Sequence, residues 1–476
     1  MTARCWSPRG SHADSGQAAE KPALRSLWLR KEFFNRLLKR KPMKIADAST
    51  PVLVLRPHHH GALGIFRSLG TLGVPVYAVE DGEWAPPLYS RYCRGTFHWD
   101  VRNAHPRDSI ASLLKIARHF DRPPILIPTD DATAVLVQEA AEELQPAYQF
   151  PVLPTGLARR LCSKKELYFL CRDCGFPNPQ TAFPQSRADL LQFLERAIFP
   201  VVLKGIDDRR LLGRTKVGMR IVHNAEELLK SYDEMEDPAQ PNLMLQEYIP
   251  GNVDTVWMFN GYFNEKSECL LGLTGRKLRQ RPAYTGMTSL GICLKNQTVD
   301  QSIRILLGSL NYSGMVDIGC RFDKRDGQYK LLVVNPRVGC TLRLFVDRAG
   351  MDVVRACYLD LTGQRVEAEA AQEGRKWLVE NQDLMVLPRY LKDGKLTVGE
   401  WLRSLQGVRE TAWFDWLDVA PFWAVWVGYF GFFRRWLLKR QGPRRTGVVR
   451  PSPISDGSRF NPEEMGKSMK ARVASQ

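Results

Sequence analysis

The chain has 476 residues, 44% hydrophobic and 25% charged, which suits about three domains with real cores. The net charge of +17 asks for an anionic partner, but much of it sits in the first 44 and last 45 residues, and no nucleic-acid module is visible between them. Ten irregularly spaced cysteines argue against a disulfide framework, and the N-terminus lacks a secretion-signal pattern, so a reducing, cytoplasmic setting is expected.

Residues 1–48 read as a basic, partly disordered leader. Within it, 25–40 (RSLWLRKEFFNRLLKR) suits a basic amphipathic helix, and Met43 offers an alternative start. Residues 49–153 open with the apolar run PVLVLR, a glycine-containing loop, a helix and the strand VPVYAVE, a βαβ unit of a parallel, Rossmann-like sheet. The loop RPHHHGALG lacks the spacing of a dinucleotide fingerprint, and His58, His59 and His60 read as an exposed loop rather than a metal site. Asp130 and Asp131 stand at a helix start and read as caps, with substrate contact as the alternative.

Residues 154–365 follow as an α+β region of helices and mostly antiparallel strands. Its two leading helices flank CGFPNPQT, and Cys171 and Cys174 at helical spacing read as buried or half-buried thiols. A strand then ends in Lys204, followed by a charged, glycine-containing loop and a further strand. Residues 366–412 are expected to form a helical extension, and 441–476 a disordered basic tail. Between them, 413–440 differs in kind: 419–433 is uncharged and rich in Trp and Phe, too short for the ~20 residues of a membrane span, and followed by Arg434, Arg435, Lys439 and Arg440. That composition suits an interfacial segment on an anionic membrane, giving a peripheral location at the inner face.

Three features carry chemistry. Lys204 ends a strand (VVLKG), where a fixed cation suits a polyphosphate. The strand LMLQEYIPG offers backbone groups and Gln246 to the edge of a purine. VVNPR places Asn335 and Arg337 at the end of a core strand, an amide oxygen for Mg²⁺ and a guanidinium to brace a phosphoryl group.

In this order, with SKKELYFLCRDCGFPNPQT, FPVVLKG, LQEYIPG, GRKLRQRP and RDGQYKLLVVNPRVG, residues 50–365 resemble the ATP-grasp superfamily of carboxylate–amine ligases. The resemblance implies a Rossmann-like pre-ATP-grasp domain, then two α+β subdomains gripping ATP, with Mg²⁺ (or Mn²⁺) as the metal. It also implies a small-molecule carboxylate phosphorylated to an acyl phosphate and attacked by an amine, with no nucleic-acid partner. Carried over, Lys164 or Lys165 matches the first phosphate lysine, Lys204 the second, and Lys216 the end of the phosphate loop. Gln246 and Glu247 match the adenine amino acceptors, Tyr248 and Ile249 the backbone at the ring, and Asp254 the ribose. Arg276, Lys277 and Arg279 match the substrate side, Asn335 a metal ligand and Arg337 a catalytic arginine. The chain departs from the pattern at Val333 and Gly319, where carboxylates are usual; Asp317, two residues from Gly319 on the same strand face, stands in as the metal-binding acid, with Asp323 also near. Nucleotide binding without turnover, a pseudoenzyme, is therefore the alternative.

Overall fold

The computed structural model describes residues 43–82, 84–101 and 103–440, with side chains described as far as 431. The leader helix and the basic tail lie outside these residues. The chain divides into two compact units, Met1–Trp426 and Val427–Gln476, and all the sheets belong to the first.

The first sheet is parallel: β1 (Val52–Leu55), β2 (Val76–Glu80), β3 (Cys93–His98) and β4 (Ile125–Pro128), in the order 3-2-1-4. All four residues of β1, VLVL, are buried, as a central parallel strand covered on both faces must be. The strand order reverses between β1 and β4, which creates a topological switch point at their carboxyl ends.

The second sheet is small and antiparallel: β5 (Thr181–Ala182), β6 (Val201–Gly205), β7 (Met219–Val222) and β8 (Leu243–Glu247), in the order 5-8-6-7. It has its own core, including Leu190, Phe193, Leu203, Leu228 and Leu245. The third sheet has seven strands: β9 (Val256–Phe263), β10 (Cys269–Arg281), β11 (Met287–Cys293), β12 (Gly314–Asp323), β13 (Gln328–Asn335), β14 (Lys376–Leu378) and β15 (Val408–Thr411), in the order 13-12-9-10-11-14-15. Alternation divides its residues. Phe259, Ile318 and Val334 pack on the helices Lys164–Asp173 and Gln297–Ser309, whereas Asn260, Asp317 and Asn335 face the other way in one cross-strand row.

Two expectations are corrected. The stretch 366–412 holds the helices Glu380–Lys392 and Val398–Ser404, but it also supplies β14 and β15 to the large sheet. Runs as short as KWL and VRET are too brief to show a period of two. The charged loop after Lys204 is largely a helix, Asp208–Thr215, because Asp207 caps it by accepting from the Arg209 and Arg210 N–H groups.

The parallel domain is fastened to the large sheet through the buried helix His60–Gly70. Ser68 Oγ donates to Asp352 at 2.6 Å, and Arg355 donates to the Ser68 carbonyl at 2.9 Å.

Candidate active site

A narrow cavity of about 20 Å³ lies between the small sheet and the edge of the large one. Ser163 caps the helix Lys164–Asp173, which sets Lys164 at its first position and Leu167, Tyr168 and Cys171 on the same face. From the small sheet come Lys204, Met244 and Gln246. Lys204 lies opposite Met244 in register, and Gln246, two residues on, faces the same way. Leu331 and Leu332 of β13 close the other wall.

The electrostatics are lopsided. Lys164 Nζ lies 2.5 Å from Asp208 and donates to the Gly205 carbonyl at 2.9 Å, while Lys204 has no ion-pair partner of its own among the described residues. Burial, with Lys164 adding to it, pushes Lys204 down to about 8 although Asp208 acts the other way. Two lysines thus face one cavity with Asp208 as the carboxylate beside them among the described residues, an excess of positive charge.

Lys164 lines the cavity, and Lys165 instead lies 5.8 Å from the centre of the Phe183 ring. Lys216 is not brought in: it is exposed at the end of its helix and donates to the Gly213 carbonyl. Gln246 Nε2 donates to Thr181 Oγ1 at 3.0 Å, so its amide oxygen is what it offers a ligand. Glu247 is spent elsewhere, since its carboxylate accepts from the Gln180 N–H and from Arg325, with Lys330 at 3.5 Å. The Tyr248 N–H donates to the Pro200 carbonyl and its ring carries Arg321; Ile249 is buried, and Asp254 is exposed in the short turn Val253–Thr255.

β13 runs from the cavity to a second cluster. From Leu332 to Asn335 is three residues, about 10 Å of strand, of the order of a triphosphate chain. There Asn335 Nδ2 donates to Asp317 Oδ2 at 3.2 Å, and Arg337 reaches both Asn335 Oδ1 (3.2 Å) and Asp131 Oδ1 (2.9 Å). Lys277 sits close enough to Asp317 to feel its charge. Burial lowers its affinity for protons and Asp317 partly restores it. Asp317 itself is pushed up by burial, which Arg337 and Lys277 oppose. Gly339 lies directly on this carboxylate, where a Cβ would come within 2.3 Å of the Asp317 Cγ.

Neither neighbouring arginine joins the cluster. Consecutive strand residues face opposite ways, so Arg276 lies across from Trp257 on the far face from Lys277. Arg279, past a bulge, is buried in a bidentate pair with Asp383 at 2.7 and 2.8 Å.

Of the parallel domain, the sequence offers Asp131 as a cap with substrate contact as the alternative, and leaves His59 in an exposed loop. Asp131 follows β4 and His59 follows β1, so both stand at the switch point. Instead of an exposed loop, the histidines are built in. His59 caps the helix His60–Gly70 and contacts the Thr129 carbonyl at 3.0 Å, and His60 is buried between Trp377 and Trp413, which drives it down to about 3. Burial pushes the Cys340 thiol up, but His59 and Arg337 outweigh it and hold it below the ordinary cysteine value. The glycine in HHHG could have signalled this contact: a Cβ on Gly61 would lie 2.7 Å from the Gly339 carbonyl and 2.9 Å from the Cys340 Cα.

For a divalent cation the donor set is small. Asp317 and Asn335 offer oxygens, whereas the next pair along the same face is Gly319 and Val333. Among the described residues no group of three His, Cys, Asp or Glu side chains could hold a metal. One carboxylate fits a Mg²⁺ held mainly by phosphate oxygens and water.

No family model matches the chain. Among solved structures, the N5-carboxyaminoimidazole synthetase of Staphylococcus aureus in complex with ADP superposes with a TM-score of 0.54 at 12% identity, over 74% of this chain and 87% of that one. The biotin carboxylase of Campylobacter jejuni gives 0.52 at 15% identity, over 69% and 74%. These likenesses are of fold, and with the sequence relative below they point to the ATP-grasp carboxylate–amine ligase superfamily. That relative is the D-aspartate ligase of Enterococcus faecium (strain Aus0004), 25% identical over 308 residues, which are 61% of this chain and 72% of that protein.

Proposed function

We propose that the protein is an ATP-dependent ligase that joins a small carboxylic acid to an amine through an acyl phosphate. The observation that carries this reading is Lys164 and Lys204 facing one cavity whose wall, β13, leads to Asn335 and Arg337. ATP supplies the phosphoryl group, and Mg²⁺ offsets its charge. The chain's own part is electrostatic. Lys164 and Lys204 hold the phosphates, the Gln246 amide oxygen accepts from the base, and Leu331 and Leu332 exclude water beside it. Arg337 and Lys277 stand where charge develops as the acid's oxygen takes the γ-phosphoryl group and ADP leaves. The amine then attacks the acyl carbon, forming the C–N bond as phosphate departs. The crevice at the switch point, between His59, Asp131 and the 336–341 loop, is the seat of the acid in this reading.

A second reading, a nucleotide-binding protein without turnover that recruits a partner at a membrane, is favoured by Val333, which is 42% exposed where a metal-binding carboxylate would serve. One experiment separates the two. Purified protein is given ATP, Mg²⁺ and a panel of acids with hydroxylamine, which traps acyl phosphates as hydroxamates. Hydroxamate with stoichiometric ADP supports the ligase. Nucleotide binding with no hydroxamate for any acid supports the second reading, and absence of nucleotide binding removes both.

A further inference from the structure

We propose that the segment from Trp413 onward seats the protein on an anionic phospholipid surface, lying in the interface without crossing it. This goes beyond the ligase reading and does not depend on it.

The segment has a rigid base. Asp418 is buried and accepts from Arg67 Nε (2.9 Å), Ser90 Oγ (2.8 Å) and the Arg91 N–H (2.8 Å). Trp413 is buried against His60, and its Nε1 donates to Asn381. From that base Trp416, Leu417 and Trp423 project, 78%, 67% and 62% exposed, while Ala424 and Val425 are buried. Phe414 stiffens the projection, with its ring 4.8 Å from that of Trp416 and 5.5 Å from that of Phe422. The protein thus fixes large aromatic side chains in water, at a cost in solvation that a partner must offset.

The second unit, taken by itself, starts with the same character. Val427 and Phe430 are 61% and 71% exposed. Its sequence continues with Arg434, Arg435, Lys439, Arg440, Arg444, Arg445 and Arg450, with no acidic residue from 434 to 450. No helix among the described residues is long and apolar enough to cross a membrane. In sequence the tryptophans lead into a one-signed basic run, the composition of a segment at the boundary of an anionic bilayer, where rings enter the headgroup layer and cations meet phosphates. A second copy is a poorer occupant, because its own segment repeats the same basic sequence, with no acidic residue from 434 to 450 to complement it. Protein interfaces also ring their aromatic core with mixed polar groups.

The test uses the full chain in sedimentation with vesicles. Phosphatidylglycerol–phosphatidylcholine vesicles should carry it down and pure phosphatidylcholine vesicles should not, and high salt should weaken the binding. The double substitution Trp416→Ser with Trp423→Ser should lower the partition coefficient at least about tenfold, with thermal unfolding unchanged because both side chains are exposed. Equal binding by the double variant would overturn the proposal, as would equal binding to both vesicle types. So would a dimer in analytical ultracentrifugation that the same substitutions dissolve, or vesicle binding that appears only when residues 1–42 are deleted.

Discussion

At one end of the cleft Lys164 and Lys204 share a single carboxylate, Asp208. At the other, Arg337 is paired with Asp131 and Lys277 feels the charge of Asp317, while Arg279, outside that cluster, is paired with Asp383. The sequence draws no such distinction, since each is simply a cation on or next to a helix or strand. The paired cations have their charge balanced by the chain itself, as charges removed from water must be. The under-matched pair lacks that balance, and burial holds Lys204 down to about 8.

The largest effect should come from breaking a matched pair. Asp383→Ala leaves Arg279 buried without its partner and should cost about 3–5 kcal/mol in urea unfolding, with nucleotide affinity little changed in the protein that remains folded. A wild-type-like unfolding curve would show that the pair carries no structural weight. Next, Lys204→Ala should weaken ATP binding by about 100-fold, ~2.7 kcal/mol, in titration calorimetry while leaving stability intact or slightly improved. An unaltered affinity would mean that the lysine end is not the anion site.

The pH dependence sharpens the contrast. A phosphate chain favours protonated Lys204, so ATP affinity should be flat below about pH 8 and fall by up to about tenfold per unit above it. Lys204→Arg should flatten that fall. Without nucleotide the trend reverses. The unfolded lysine holds its proton more tightly than the folded one, so this residue's contribution to stability rises between about pH 8 and the ordinary lysine value. The smallest effect concerns the metal. Val333→Glu places a carboxylate on the half-exposed side of β13 opposite Gly319, and should lower the Mg²⁺ concentration for half-maximal nucleotide binding a few-fold, at most about tenfold. No change would place the cation away from this strand pair.

Much of the fold was legible where one element carries its own signal. The VLVL run, the lysine-terminated strand and the Asn-Pro-Arg strand each announce themselves, and the parallel sheet followed by α+β sheets is as expected. The site was legible in part. Lys204, Gln246 and the N-terminal lysine of a helix do meet, because strand alternation and helix periodicity place them on one side of their elements. Arg276 and Arg279 illustrate the limit. A motif such as GRKLRQRP shows four cations within six residues, but alternation separates Arg276 from Lys277 and a bulge intervenes before Arg279, and the bulge leaves no mark in composition.

The sequence by itself determined the elements and the order of the phosphate-binding candidates, since period, caps and strand-end residues act within a few positions of one another. Only the tertiary structure decided which charges are matched. Asp131 lies 206 residues from Arg337, and Asp383 lies 104 residues from Arg279. Ion pairing depends on distance through space, which a linear chain does not record.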